Sequence, residues 1–95
     1  MIRILQSAAD DLIQGYTFYE NQKVGLGEYF LDSLFADIDS LALYAGSHPI
    51  HFDSFYRMLA RRFPFAVYYK ITASDIIVYA VLDCRRNPAW IRKRL

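Results

Sequence analysis

The chain is 95 residues long, 55% apolar and 17% aromatic, with a formal net charge of +1. That length accommodates one domain, residues 1–95, with a modest core, and the composition excludes a disordered polyelectrolyte. No apolar run reaches the roughly 18 residues of a membrane span, the lone Cys84 excludes an internal disulfide, and the opening MIRILQSAADD shows no leader pattern. The expectation is a cytoplasmic protein away from the membrane.

The net charge conceals an asymmetry. Residues 1–56 hold two basic side chains, Arg3 and Lys23, against eight acidic ones, whereas residues 57–95 hold nine basic ones against Asp75 and Asp83. Such a division suits a polyanion or an acidic partner, unless folding sets the two halves against each other.

In chain order, the β-branched IRIL of residues 2–5 reads as a strand. Ser7 is placed to cap a helix over 8–22, with Asp10 in capping-box position and Ala9, Leu12, Ile13 and Tyr16 at helical spacing. VGLG at 24–27 interrupts it. A second helix is expected over 27–45, with Phe30, Leu31, Leu34, Ile38, Leu41 and Ala42 on one stripe, Glu28, Asp32 and Asp39 opposite, and Gly46 as its stop. The connector SHPIHFDS has turn chemistry. From Tyr56 the period becomes 2, giving strands over 56–61 and 65–71 bent at RFP, and then a third, the most apolar, over 76–84. Asn87 as N-cap and Pro88 at the first helical position start a short basic terminal helix.

Alternation sorts the strand residues by face. If Tyr56, Met58, Ala60, Phe65, Val67, Tyr69, Ile71, Ile76, Val78, Ala80 and Leu82 face the helices, the other face shows Arg57, Arg61, Tyr68, Lys70, Tyr79, Asp83 and Arg85. Basic residues interleaved with aromatics suit phosphate contacts, base stacking or a protein interface; the alternative is a solvated face on which Asp83 pairs with Arg85. Arg86 should leave on the core side and emerge at the edge or meet a carboxylate of the acidic helices. The helix start beside it offers backbone donors to an anion. Trp90 is expected as a lid over the sheet end and a candidate hot spot. His48 and His51, with only Asp53 nearby, do not make a metal set, Cys84 reads as packing, and no phosphate-loop or nucleophile-elbow pattern is present. No metal or cofactor is expected.

The β-α-α-β-β-β order, with RRFPFAVYYKI leading into IIVYAVLDCRRNPAWI, resembles the RelE/ParE superfamily of toxins from type II toxin–antitoxin modules, most of all its ParE, or plasmid-stabilisation, branch. The resemblance spans essentially the whole chain. It implies an α+β fold, a largely antiparallel sheet packed against two N-terminal helices with a short C-terminal helix. It also implies a hetero-oligomer with a small antitoxin, ParD-like or of another class. ParE-type members inhibit DNA gyrase and arrest growth; RelE-type members cut mRNA on the ribosome. For the ribonuclease alternative the candidate residues are Arg61, Arg85, Arg86, Tyr68 and Tyr79. For target binding they are Arg57, Arg61, Tyr68, Lys70, Tyr79, Arg85, Arg86 and Trp90. Phe65 stands where the nucleases tend to carry an Arg, and no His or Tyr follows Tyr79. That incomplete set favours gyrase inhibition without enzymatic activity over mRNA cleavage. A third alternative is an inactive remnant that only binds antitoxin.

Overall fold

The computed structural model describes residues 1–95 and orders them β1 (Ile2–Ile4), α1 (Gln6–Gln22), α2 (Leu26–Asp39), α3 (Leu41–Tyr44), β2 (Ile50–His51), β3 (Phe55–Leu59), β4 (Phe65–Ile71), β5 (Ile76–Asp83) and α4 (Pro88–Arg94). One sheet runs β1-β5-β4-β3-β2, with β1 parallel to β5 and every other pair antiparallel. The most apolar strand, β5, is thereby interior, where both of its faces find cover. The expected order holds, extended by the two-residue β2 in the His-Pro connector and by a break that separates α3 from α2.

Helix α1 starts earlier than its sequence suggests, because Ser7 is not a cap: its hydroxyl donates to the Tyr79 carbonyl on β5 at 3.0 Å. Asp10 accepts from Gln6 Nε2 instead of closing a capping box. Strand β1 ends at Ile4, and Asp11 of α1 then takes over along the edge of β5, accepting the Val81 N–H at 3.0 Å. Helix α2 begins at Gly25, whose φ of 89° is cheap only for glycine. The carboxylate of Glu20, reaching forward from α1, accepts from the N–H groups of Gly25 and Gly27 and so caps α2 from a distance. The single helix expected over 27–45 is divided at Ser40, whose Oγ donates to the Asp37 carbonyl at 2.6 Å and competes with the regular ladder. Gly46, at φ 90°, ends the helical region as its sequence position suggests.

Two cores flank the sheet. The larger packs Leu12, Phe30, Leu34 and Ile38 of the helices on Met58, Val67, Tyr69, Val78 and Val81. The smaller, on the far face, packs Phe55, Ala66, Tyr68, Ala80 and Leu82 under Ile91 of α4. The division of β5 between them departs from simple alternation. Tyr68 pairs with Ala80 and Tyr69 with Val78, so Tyr79 is an extra residue, a bulge. Beyond it the phase flips, sending Ala80 and Leu82 to the far face and Val81 to the helices.

Candidate functional site

The basic face expected from alternation is largely dispersed. Arg57, Tyr68, Lys70 and Tyr79 do lie on the far face, but α4 and the β2–β3 hairpin cover much of it. Tyr68 is only 2% exposed, with Phe52 of that hairpin against its ring. Lys70 Nζ sits 4.6 Å from the Phe55 ring centroid and 5.3 Å from that of Tyr79, which leaves its charge on a cation–π shelf. Arg57 pairs opposite Tyr68 and is half-buried.

The remaining candidates lie elsewhere. Because β3 stops at Leu59, alternation does not carry to Arg61; its N–H donates to Asp37 Oδ2 at 3.1 Å, beside α2, and its side chain is exposed. The phase flip at Tyr79 carries Asp83 and Arg85 to the helix side, near Tyr19 of α1. Their pairing follows the sequence expectation: Arg85 donates from its backbone N–H, from Nε and from Nη2 to the Asp83 carboxylate, with Nη2 to Oδ2 at 2.7 Å. Those bonds hold the Asp83 carboxyl below its usual range and raise the Arg85 guanidinium. Burial pushes the Tyr19 phenol up.

Arg86 does not meet a carboxylate. Its guanidinium lies 4.3 Å from the Trp90 ring centroid, stacked on an indole that is 39% exposed. Trp90 is thus a partner for Arg86 more than a lid. The cation that does meet the acidic helices is one sequence reasoning missed: Arg94 Nη2 donates to Asp11 Oδ2 at 2.6 Å and to the Ser7 carbonyl at 2.8 Å. Its only sequence signal is an arginine in the last turn of a helix, a common ornament of helix ends. Asn87 caps α4 as expected, its Oδ1 accepting from Ala89 N–H at 2.8 Å. That uses one of the backbone donors expected for an anion at the start of this seven-residue helix. His48 Nδ1 meets the Tyr69 hydroxyl, which also accepts the Gly46 N–H. Cys84 is half-buried against the far-face core, in the packing role expected of it.

What these elements do bring together is a cleft of about 360 Å³ between α1, the end of β5 and the start of α4. Phe18, Phe65 and Trp90 supply its aromatic walls, and Asp11, Asp83 and Arg86 its charges. Two of the three charges are engaged, Asp11 by Arg94 and Asp83 by Arg85; Arg86 belongs to none of the four ion pairs in the molecule. Next to the cleft, rings continue in contact through Tyr19, Phe63 and the half-exposed Tyr29.

With this geometry described, comparison with known proteins adds the fold class. A two-layer βααβββ sheet with a short helix closing its far face is the RelE/ParE-like architecture. A solved structure described as the chromosomal ParDE TA system from P. aeruginosa superposes with a TM-score of 0.72, covering 84% of this chain and 90% of its counterpart at 16% identity. No family model matches the sequence, and no curated protein matches it.

Proposed function

We propose that the chain is the toxin of a type II toxin–antitoxin module, ParE-like, which inhibits DNA gyrase by binding it and is neutralised by a cognate antitoxin of ParD type in a hetero-oligomer. The fold shared with a ParDE component supports the toxin class. The observation that favours gyrase over mRNA is the failure of the nuclease candidates to converge. In-line cleavage through a 2′-hydroxyl needs a base, an acid and cations around one phosphate. Here Tyr68 is buried beneath α4, Arg61 lies beside α2, and Arg85 is locked to Asp83 on the helix side. Arg86 on Trp90 beside exposed Phe18 remains, and Arg with large aromatics is the composition of a protein-binding hot spot.

The antitoxin side of the reading draws on the helices. Phe35 on α2 and Leu43 on α3 are exposed apolar side chains that an amphipathic segment folding on contact would cover. The test is a gyrase supercoiling and cleavage assay with purified toxin. Inhibition is expected, with Arg86→Ala and Trp90→Ala each weakening it by at least about tenfold, the size of a hot-spot loss. Untouched gyrase together with codon-linked mRNA cuts on translating ribosomes would replace this reading with the ribonuclease. Antitoxin binding with neither activity would mark an inert remnant.

A further inference from the structure

We infer that the cleft between α1, β5 and α4 receives a single acidic side chain of a partner polypeptide, an Asp or Glu flanked by an apolar residue. Charge accounting selects the guest. Around the cleft, Asp11 is satisfied by Arg94 and Asp83 by Arg85, which leaves one uncompensated positive charge on Arg86. One carboxylate restores balance, whereas a doubly charged phosphate would bring a second charge close to two carboxylates already present.

Geometry agrees with that choice. The Trp90 ring 4.3 Å away restricts the Arg86 guanidinium and takes none of its N–H donors, which leaves them for a carboxylate, the group a guanidinium can hold bidentately. Phe18 and Phe65 offer an apolar wall to the residue beside it. The walls hold their spacing because Arg94 ties α4 to α1 across the cleft's base, and Asp11 ties α1 to β5. A polypeptide fits better than a free metabolite, since exposed Phe18 at the cleft and exposed Tyr29 beyond it, joined through the buried Tyr19 and half-buried Phe63, offer further apolar contact to a longer chain.

The inference rests on the reading of Arg86 and Trp90 as a protein-binding spot but not on gyrase as the partner, so its test on the isolated protein can fail while gyrase inhibition holds, and the reverse. Trp90 is the only tryptophan, so its fluorescence reports on the cleft directly. The probes are acetyl-Phe-Glu-amide and acetyl-Glu-Phe-amide, their Gln counterparts and their phosphoserine counterparts, followed by Trp90 emission and by amide shifts of residues 83–90. At least one Glu peptide should bind in the millimolar range, its Gln counterpart about tenfold more weakly, in line with the gain from a charge-assisted pair. Arg86→Gln, at an exposed position that leaves the fold intact, should abolish the Glu-over-Gln difference without changing the melting temperature. Equal binding of Glu and Gln peptides, tighter binding of the phosphoserine peptides, or no response up to about 20 mM, beyond useful fragment affinity, would each overturn it.

Discussion

Asp11 sits 6% exposed on α1 with Arg94 on one oxygen, and its carboxyl is nevertheless raised above the ordinary 3.8. Loss of hydration outweighs what the Arg94 contact and the Val81 N–H return, the usual balance for a buried ion pair. Asp83, half-buried and gripped by Arg85, moves the other way, because the Arg85 hydrogen bonds outweigh its smaller loss of hydration. The two signs have opposite consequences. A carboxyl raised in the folded state stabilises below 3.8, and that share is lost as pH climbs through its folded value; a depressed carboxyl stabilises above 3.8, and its share is lost as pH falls through the folded value. Carboxyl-carbon NMR should therefore place the Asp11 midpoint above 3.8 and the Asp83 midpoint below it. Asp11→Asn, which keeps an acceptor for Val81 N–H, should gain stability relative to the parent as pH rises from 3 towards 7, a range spanning the carboxylates. At this scale the sequence disclosed what is local. The Asn87 cap and the Asp83–Arg85 pair lie two residues from their partners, but Arg94 and Asp11 are 83 residues apart, and no spacing rule links them.

Helices α1 and α2 approach closely at two glycines. A Cβ on Gly15 would fall 2.4 Å from the Phe30 ring, and one on Gly27 would fall 2.7 Å from the Tyr16 carbonyl oxygen. The helix propensity gained by Ala, up to about 1 kcal/mol, is smaller than the overpacking it causes. Gly15→Ala should cost a net ~1–2 kcal/mol in urea unfolding, and Gly27→Ala at least as much, because backbone yields less than a ring edge. An increase in stability from either substitution would show that the helices can separate freely. The helical stripes were legible because Phe30, Leu34 and Ile38 can only serve one face. Strand faces were less so. Nothing in the run of residues 76–83 marks the bulge, since apolar side chains on an interior strand satisfy either side and Tyr79 packs as well among Phe55 and Lys70 as toward the helices. The misplacement of Asp83 and Arg85 follows from that one residue.

Across the whole molecule, the division into an acidic first part and a basic second part does not yield one basic face. Arg94 is spent on Asp11 and Arg85 on Asp83, Lys70 sits among aromatic rings, and Arg86 keeps its charge beside Trp90, so the field that sequence suggested is broken into local uses. The order of elements was readable, because helix and strand periods differ sharply, and the layout of the sheet followed from the resemblance that order carries. The two-residue β2 and the reach of Glu20 to α2 were not, being set by contacts that form only after the chain has collapsed.

Strand β1 pairs Ile2 with Ile76 and Ile4 with Val78, in parallel. On a ribosome, α1 and α2 are made long before β5, and although β3 and β4 can cover part of their apolar stripe earlier, the cover from Val78 and Val81 waits until β5 emerges. Closing so long a loop comes late, because its entropy is lost before any pairing returns it. Ile4→Ala should accordingly leave the refolding limb of a chevron almost unchanged and raise the unfolding limb at about the same slope, a low-φ position. A refolding rate that fell in step with stability would place β1 in the nucleus instead. Strand β1 would then be made before every other element of this fold and find its place last, and nascent chains stalled before residue 76 would be the ones that aggregate.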